Sequence, residues 1–231
     1  MALPPVLMYH RVASAPVGTI VPGHYVSPRT LERHLRLLNA RKLIALSPAE
    51  SRDVHRSGVL LTFDDGYADF ASAAAPRLRE AGFSAIVFVC TGLLGDHNAW
   101  DVALGDVREP LMDAKTISDL AKEGFWFGVH TSRHADLTAV PETRFEDEIF
   151  GPRRRLSELI GAEVDDFCYP YGRHSSPVRK AVADAGYRRG FATGRGILGD
   201  PYAIGRINVR RDTTALVLAY KLLRHRMRGS R

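Results

Sequence analysis

Three short runs of this chain hold residues whose types and spacing fit metal chemistry. In Thr62-Phe63-Asp64-Asp65-Gly66, two carboxylates stand side by side directly after an apolar run. In an apolar setting their mutual repulsion raises a pKa unless a cation intervenes. A divalent ion on one carboxylate would relieve that conflict and leave the other free as a base. An Asp pair capping a helix beside a turn glycine accounts for the same five residues. In His130-Thr131-Ser132-Arg133-His134, two imidazoles four residues apart can meet on one ion. A carboxylate from elsewhere would complete a three-ligand site with open positions, the catalytic rather than the structural arrangement. Two surface or capping histidines are the plainer alternative. A 2-His-1-carboxylate set suits Zn²⁺ first, and also Fe²⁺, Co²⁺, Ni²⁺ or Mn²⁺. The third run, Phe167-Cys168-Tyr169-Pro170-Tyr171-Gly172, encloses Tyr171 in a tight turn that could present a backbone N–H to a ligand. An ordinary strand-ending turn with core aromatics fits it equally well.

These runs sit where apolar segments stop. Strands are expected at Pro5–Tyr9, Val59–Phe63, Ala85–Cys90, Phe125–Val129, Asp166–Tyr169, Gly190–Thr193 and Ala203–Val209, since each is short and rich in Val, Ile, Phe or Leu. His10, Asp64 with Asp65, His130, and Tyr171 then follow four of these strands. Helix signals fall between them. Ser27-Pro28 precedes Leu31, Leu35 and Leu38 at helical spacing, and Asp69 to Gly82 reads as a helix bent near Pro76. Further helices are expected over Thr116 to Gly124, over Pro141 to Gly161, and from Ser176-Pro177 to near Gly186. In the Pro141 segment acids precede arginines, which suits the helix dipole, and Gly161 is a plausible stop. Strands alternating with helices imply parallel pairing. The expected architecture is α/β: a distorted, incomplete TIM-like barrel of about seven parallel strands, formed as one domain over 1–231. In such a barrel all these strand ends lie on the catalytic face.

Together the runs resemble the polysaccharide deacetylase family, the NodB-homology or carbohydrate esterase family 4 group. Thr62 to Gly66 is similar to its first motif, His130 to His134 to its H-[S/T]-x-x-H second motif, and Tyr169 to Gly172 to the core of its third. Leu7-Met8-Tyr9-His10-Arg11-Val12 is similar to a branch containing exopolysaccharide deacetylases. The resemblance extends from about Val6 to Val209. It implies a distorted (β/α) barrel and metal-assisted removal of an N-acetyl group from an amino sugar, whether in a glycan, a lipid-linked sugar or a small glycoside. It also implies that Asp65, His130 and His134 hold one divalent ion, that Asp64 is the base, and that the Tyr171 N–H helps stabilise the oxyanion. The chain departs from the pattern at Cys168, where the family usually has arginine. Arg206 is then the candidate to orient Asp64. The usual Asp-Trp and Leu-x-His motifs are not recognisable. His10, at a strand end, is therefore the expected acid, and His225, after Leu222-Leu223-Arg224, is the reserve.

Composition limits the remaining readings. At 231 residues with 45% apolar and 25% charged residues, the chain can bury a substantial core. The net charge of +6 is scattered except for Lys221, Arg224, Arg226, Arg228 and Arg231, a basic C-terminal tail from about residue 221. Without zinc-finger or RNA-binding signatures this gives no nucleic-acid partner, but allows peripheral contact with a membrane. No obligate protein partner is inferred. Cys90 and Cys168 lie in apolar runs and read as buried thiols. The opening Met1 to His10 has no basic start or long apolar core, so the expectation is a cytoplasmic protein, partly at the inner membrane surface. A noncatalytic carbohydrate-binding barrel and a deformylase of lipid-linked amino sugars are the alternatives. The intact Asp–Asp and His–His runs disfavour the first.

Overall fold

The computed structural model describes residues 4–52 and 58–229. Eight strands form its framework: β1 (Val6–Tyr9), β2 (Ile44–Ala45), β3 (Gly58–Phe63), β4 (Ile86–Val89), β5 (Trp126–Val129), β6 (Asp166–Cys168), β7 (Arg189–Phe191) and β8 (Ile207–Asn208). Seven follow the order β7-β6-β5-β4-β3-β1-β8, all parallel, and β2 pairs with the start of β3 off this path. At the open side, Ile204 bridges to Phe191 while Ile207 and Asn208 pair with Leu7 and Met8. The segment from 204 to 208 thus spans the gap between β7 and β1. The result is the expected distorted, incomplete barrel of seven parallel strands.

Period-two alternation divides each strand between two cores. Val6, Leu60, Ile86, Phe88, Cys168, Phe191 and Ile204 pack together inside the barrel. Leu7, Tyr9, Leu61, Phe63, Val87, Val89 and Phe167 point the other way, under the helices. Both faces are covered, which is why apolar residues take most positions of β1, β3, β4 and β5 on either face.

The helices are α1 (Pro28–Ala40), α2 (Ala75–Glu80), α3 (Ala99–Val102), α4 (Ala114–Lys122), α5 (Gly151–Ile160), α6 (Ser176–Asp184) and α7 (Ala215–Gly229). Ser27 caps α1, its side chain accepting from the Thr30 N–H. The third expected helix begins earlier than its sequence signal because Asp113 caps it through the Thr116 N–H. α6 is capped by Ser175, one residue before the expected opening. The bend near Pro76 takes the form of a π-turn, Phe70–Ala74, leading into α2; a second, Glu146–Phe150, leads into α5 just before Pro152. A widened turn accommodates the missing N–H and bulky ring of a proline that follows it. Gly161 ends α5 in the left-handed region, as its position implies.

Two expectations change. The last strand shrinks from Ala203–Val209 to two residues, because residues 203–206 cross the barrel opening before pairing begins. The basic segment from Lys221 is the second half of α7, with Leu218 and Leu222 buried and the helix packed on α1. Ser230 and Arg231 of that tail, and Met1 to Leu3 of the opening, lie outside the described residues. Among the described residues no helix is long and apolar enough to cross a membrane.

The barrel interior has no slack at Gly128 in β5. A Cβ there would stand 2.5 Å from the Phe88 ring and 2.8 Å from the Asp166 carbonyl oxygen. The backbone oxygen cannot move without disturbing the sheet. Gly128→Ala should therefore lower stability by about 1–3 kcal/mol, the usual cost of overpacking, read as a lower denaturant midpoint at unchanged m-value.

Candidate active site

Asp64 takes the next inward position after Leu60 and Thr62, at the mouth of the barrel, with its N–H bonded to the Tyr9 carbonyl. The chain then leaves the strand sharply. Asp65 has φ 74°, and Thr131, His134 and Tyr171 also lie at positive φ. Four of the five described non-glycine residues in that region are thus at this one mouth, and Lys42 is the fifth. Each costs on the order of 1–3 kcal/mol, so the surroundings must hold it. The buried Glu148 carboxylate does so for the histidine loop, accepting from the N–H groups of Ser132 and Arg133 at 2.9 and 3.1 Å. Thr131 Oγ1 accepts from the Ala135 N–H.

The left-handed turns bring Asp65, His130 and His134 together. Asp65 Oδ1 lies 3.3 Å from His130 Nε2 and 3.4 Å from His134 Nε2. These separations are long for hydrogen bonds. They match donors about 2.0–2.1 Å from one shared ion at tetrahedral angles, which stand about 3.3–3.4 Å apart. His130 Nδ1 donates to the Cys168 carbonyl at 2.8 Å, and with Nδ1 so engaged the Nε2 atom is the one that would offer its lone pair to a bound ion. The residues present therefore fit a divalent cation. Burial alone would raise the Asp65 carboxyl, but the two imidazoles override it and hold it well below the usual carboxylate range.

Asp64 points elsewhere. Arg206, fully buried, grips both its oxygens, Nη1 to Oδ1 at 2.7 Å and Nη2 to Oδ2 at 2.8 Å. The guanidinium is itself fixed by the Ala192 carbonyl and Thr62 Oγ1, at 3.0 Å each. Burial pushes the Asp64 carboxyl up, but Arg206 outweighs it and the net shift is downward. Cys168 leaves the room that this arrangement uses: its Sγ sits 3.1 Å from Arg206 Nη2 and 3.7 Å from Asp64 Oδ2.

Tyr171 has φ 61° in the turn after β6, and its N–H has no acceptor among the described residues, whereas Gly172 and Arg173 turn back to the carbonyls of Tyr169 and Pro170. Its ring meets the edge of His134. His10 Nε2 lies 4.0 Å from Asp64 Oδ2. Its Nδ1 is buried without a partner among the described residues. Burial, and then His24, push its pKa down to about 3, so the imidazole is neutral near pH 7 and must take up a proton before donating one. His225 lies on α7 and belongs to none of the groups of candidate metal ligands among the described residues.

Of four further residues here, three carried no readable sequence signal. His24 stacks on His10 with centroids 4.0 Å apart, and Trp100 stacks on His134 at 4.3 Å. Both come from irregular or very short segments without periodicity. Glu148 lies within an acidic run that reads as a solvated helix start. Arg11 is held by Asp69 and Glu109 between the rings of Tyr25 and Tyr67, anchoring the residue beside His10. Its only signal was its place in the opening motif.

Comparisons with known proteins agree with this fold. The chain is 24% identical over 215 residues to YxkH of Bacillus subtilis (strain 168), whose name places it among polysaccharide deacetylases; the match covers 89% of this chain and 71% of that protein. The Streptococcus pyogenes deacetylase PplD, solved in complex with acetate, shares the fold with a TM-score of 0.82 at 22% identity, over 96% of this chain and 98% of that one. BC0361, a polysaccharide deacetylase from Bacillus cereus, does so with a TM-score of 0.81 at 22% identity, over 96% and 69%. The polysaccharide deacetylase family profile matches residues 51–190, more than half of the sequence, and the chain belongs to that family.

Proposed function

We propose that this protein is a metal-dependent N-deacetylase that hydrolyses the N-acetyl group of an amino-sugar unit, releasing acetate and a free amine. The observation that carries this reading is the division of two adjacent carboxylates: Asp65 converges with His130 and His134, while Asp64 is held apart by Arg206. Asp65, His130 and His134 would hold one divalent ion, Zn²⁺ being the best match to two imidazoles and a carboxylate. When bound, such an ion supplies Lewis-acid polarisation of the amide carbonyl and makes water easier to deprotonate.

The chain's own residues account for the rest. Asp64, ionised and oriented by Arg206, removes the proton from the attacking water. The unengaged Tyr171 N–H stands ready for the oxyanion that develops on the carbonyl oxygen. The departing nitrogen must be protonated as the tetrahedral intermediate collapses. His10, neutral at rest and 4.0 Å from Asp64, is placed to take that proton up and pass it on. The half-exposed Tyr171 ring and the Trp100 ring wall the site and offer flat apolar surface to a sugar.

Acetate release from a panel of N-acetylated amino sugars, with the protein loaded with Zn²⁺, tests the activity directly. Asp64→Asn should keep the ion and lose turnover by about 10²–10⁴-fold, whereas Asp65→Asn should lose the ion first. Equal metal content and equal activity in both variants would overturn the division of roles.

The Arg206 grip predicts a pH effect of definite sign. Arg206 lowers the Asp64 pKa against the upward pull of burial. Arg206→Met should let that pKa rise, so the acidic limb of kcat/KM should move to higher pH. An unmoved limb would show that Arg206 does not tune Asp64. His10→Ala should lower kcat by about 10²–10⁴-fold with metal content unchanged. Full activity in this variant would leave His10 a packing residue.

A further inference from the structure

α7 carries apolar residues on two opposite sides, one buried and one outward. Leu218 and Leu222 are buried, yet Leu216, Tyr220, Leu223 and Met227 are 81%, 57%, 51% and 60% exposed. Their spacing of four, three and four residues puts them on a single line along the helix, facing away from the buried pair. Such a continuous exposed apolar line marks an interaction surface rather than scattered surface residues. Beside the line, Arg224 is exposed, its guanidinium over the Tyr220 ring. After Asp212 the sequence has no acid, while it has Lys221, Arg224, Arg226, Arg228 and Arg231. The neighbouring helix continues the charge: Arg29, Arg33 and Arg36 lie exposed on one line of α1, and no ion pair holds them among the described residues. The one acid of that helix, Glu32, is engaged by Arg77.

From this juxtaposition we infer that α7 and α1 form a docking surface for an anionic phospholipid bilayer, with Leu216, Tyr220, Leu223 and Met227 entering the interface and Arg29, Arg33, Arg36 and Arg224 meeting the headgroups. An interfacial helix needs this combination of apolar line and cationic flank. Charge decides against a second copy of the chain. A twofold pairing through α7 would set the arginines of one copy against those of the other, whereas an anionic surface neutralises both lines at once. Lys221 does not join the headgroups, because its Nζ is bonded to the Asn208 carbonyl at 2.7 Å and ties α7 to β8. The inference does not depend on the proposed activity, since no residue in it belongs to the site.

Cosedimentation of the full chain with phosphatidylcholine vesicles, with and without phosphatidylglycerol, tests it. Binding should require phosphatidylglycerol, and should weaken with salt. R33Q and R36Q should each weaken it on the order of fivefold. Leu216→Gln with Leu223→Gln, both at exposed positions, should reduce binding at least tenfold while the thermal midpoint and metal content stay unchanged. Absence of binding to either vesicle would overturn the inference, as would equal binding by the double variant. So would a wild-type dimer in light scattering that the double variant converts to monomer, because the stripe would then be covered by a second copy.

Discussion

Two ionised carboxylates, adjacent in sequence and buried at the end of one strand, cannot share one uncompensated environment. The site follows from how Asp64 and Asp65 escape that conflict. Asp64 continues the inward alternation of β3 and meets a guanidinium that pairs with no other carboxylate among the described residues. Asp65 turns away through a left-handed backbone and meets two imidazoles, with the separations that a shared cation would impose. Each carboxylate is thereby kept ionised against burial, for a different purpose. In the proposed reaction, one would serve as the base and the other as a metal ligand.

That separation needs a rigid surround. The positive-φ residues at the mouth store strain that short flexible loops would release, so the loops are pinned from outside the reacting groups. Glu148 fixes the histidine loop through two backbone N–H groups, and Arg11 fixes the start of the segment after β1 through Asp69 and Glu109. Below the mouth, the barrel interior is closed by Phe88 and Phe191, with Gly128 admitting the Phe88 ring. The helices contribute no reacting group to this cluster; they cover the outer faces of strands whose ends carry it. Helix α7 leaves an apolar line uncovered, and that line lies among cationic rather than catalytic residues.

Much of this was legible from local sequence, because the forces concerned are local. Unbroken apolar runs mark strands covered on both faces, as at Val59–Phe63, and Ser27-Pro28 marks a helix start through its own capping bond. Asp64-Asp65 and His130-x-x-x-His134 were readable since each set is held by one strand end, and the parallel sheet puts such ends on one side. Asp166–Tyr169 came close to its observed span for the same reason. Boundaries moved where a capping side chain lay outside the periodic stretch, as with Asp113, and α7 was missed because its apolar residues serve two opposite faces and blur the period.

The pairing of distant segments was decided only by the fold. Arg206 meets Asp64 across 142 positions of sequence, and was a candidate only because Cys168 stood where an arginine was expected. Nothing in the sequence near His24, Trp100 or Glu148 marks them as neighbours of the Asp64, Asp65, His130 and His134 cluster. Their positions depend on how the loops after β1, β4 and the second π-turn fold over one barrel mouth. Local sequence could specify which residues are reactive and which strand ends carry them, since those depend on bonding within a few residues. Which cation serves which carboxylate is a property of barrel closure, where strands far apart in the chain come within hydrogen-bonding distance.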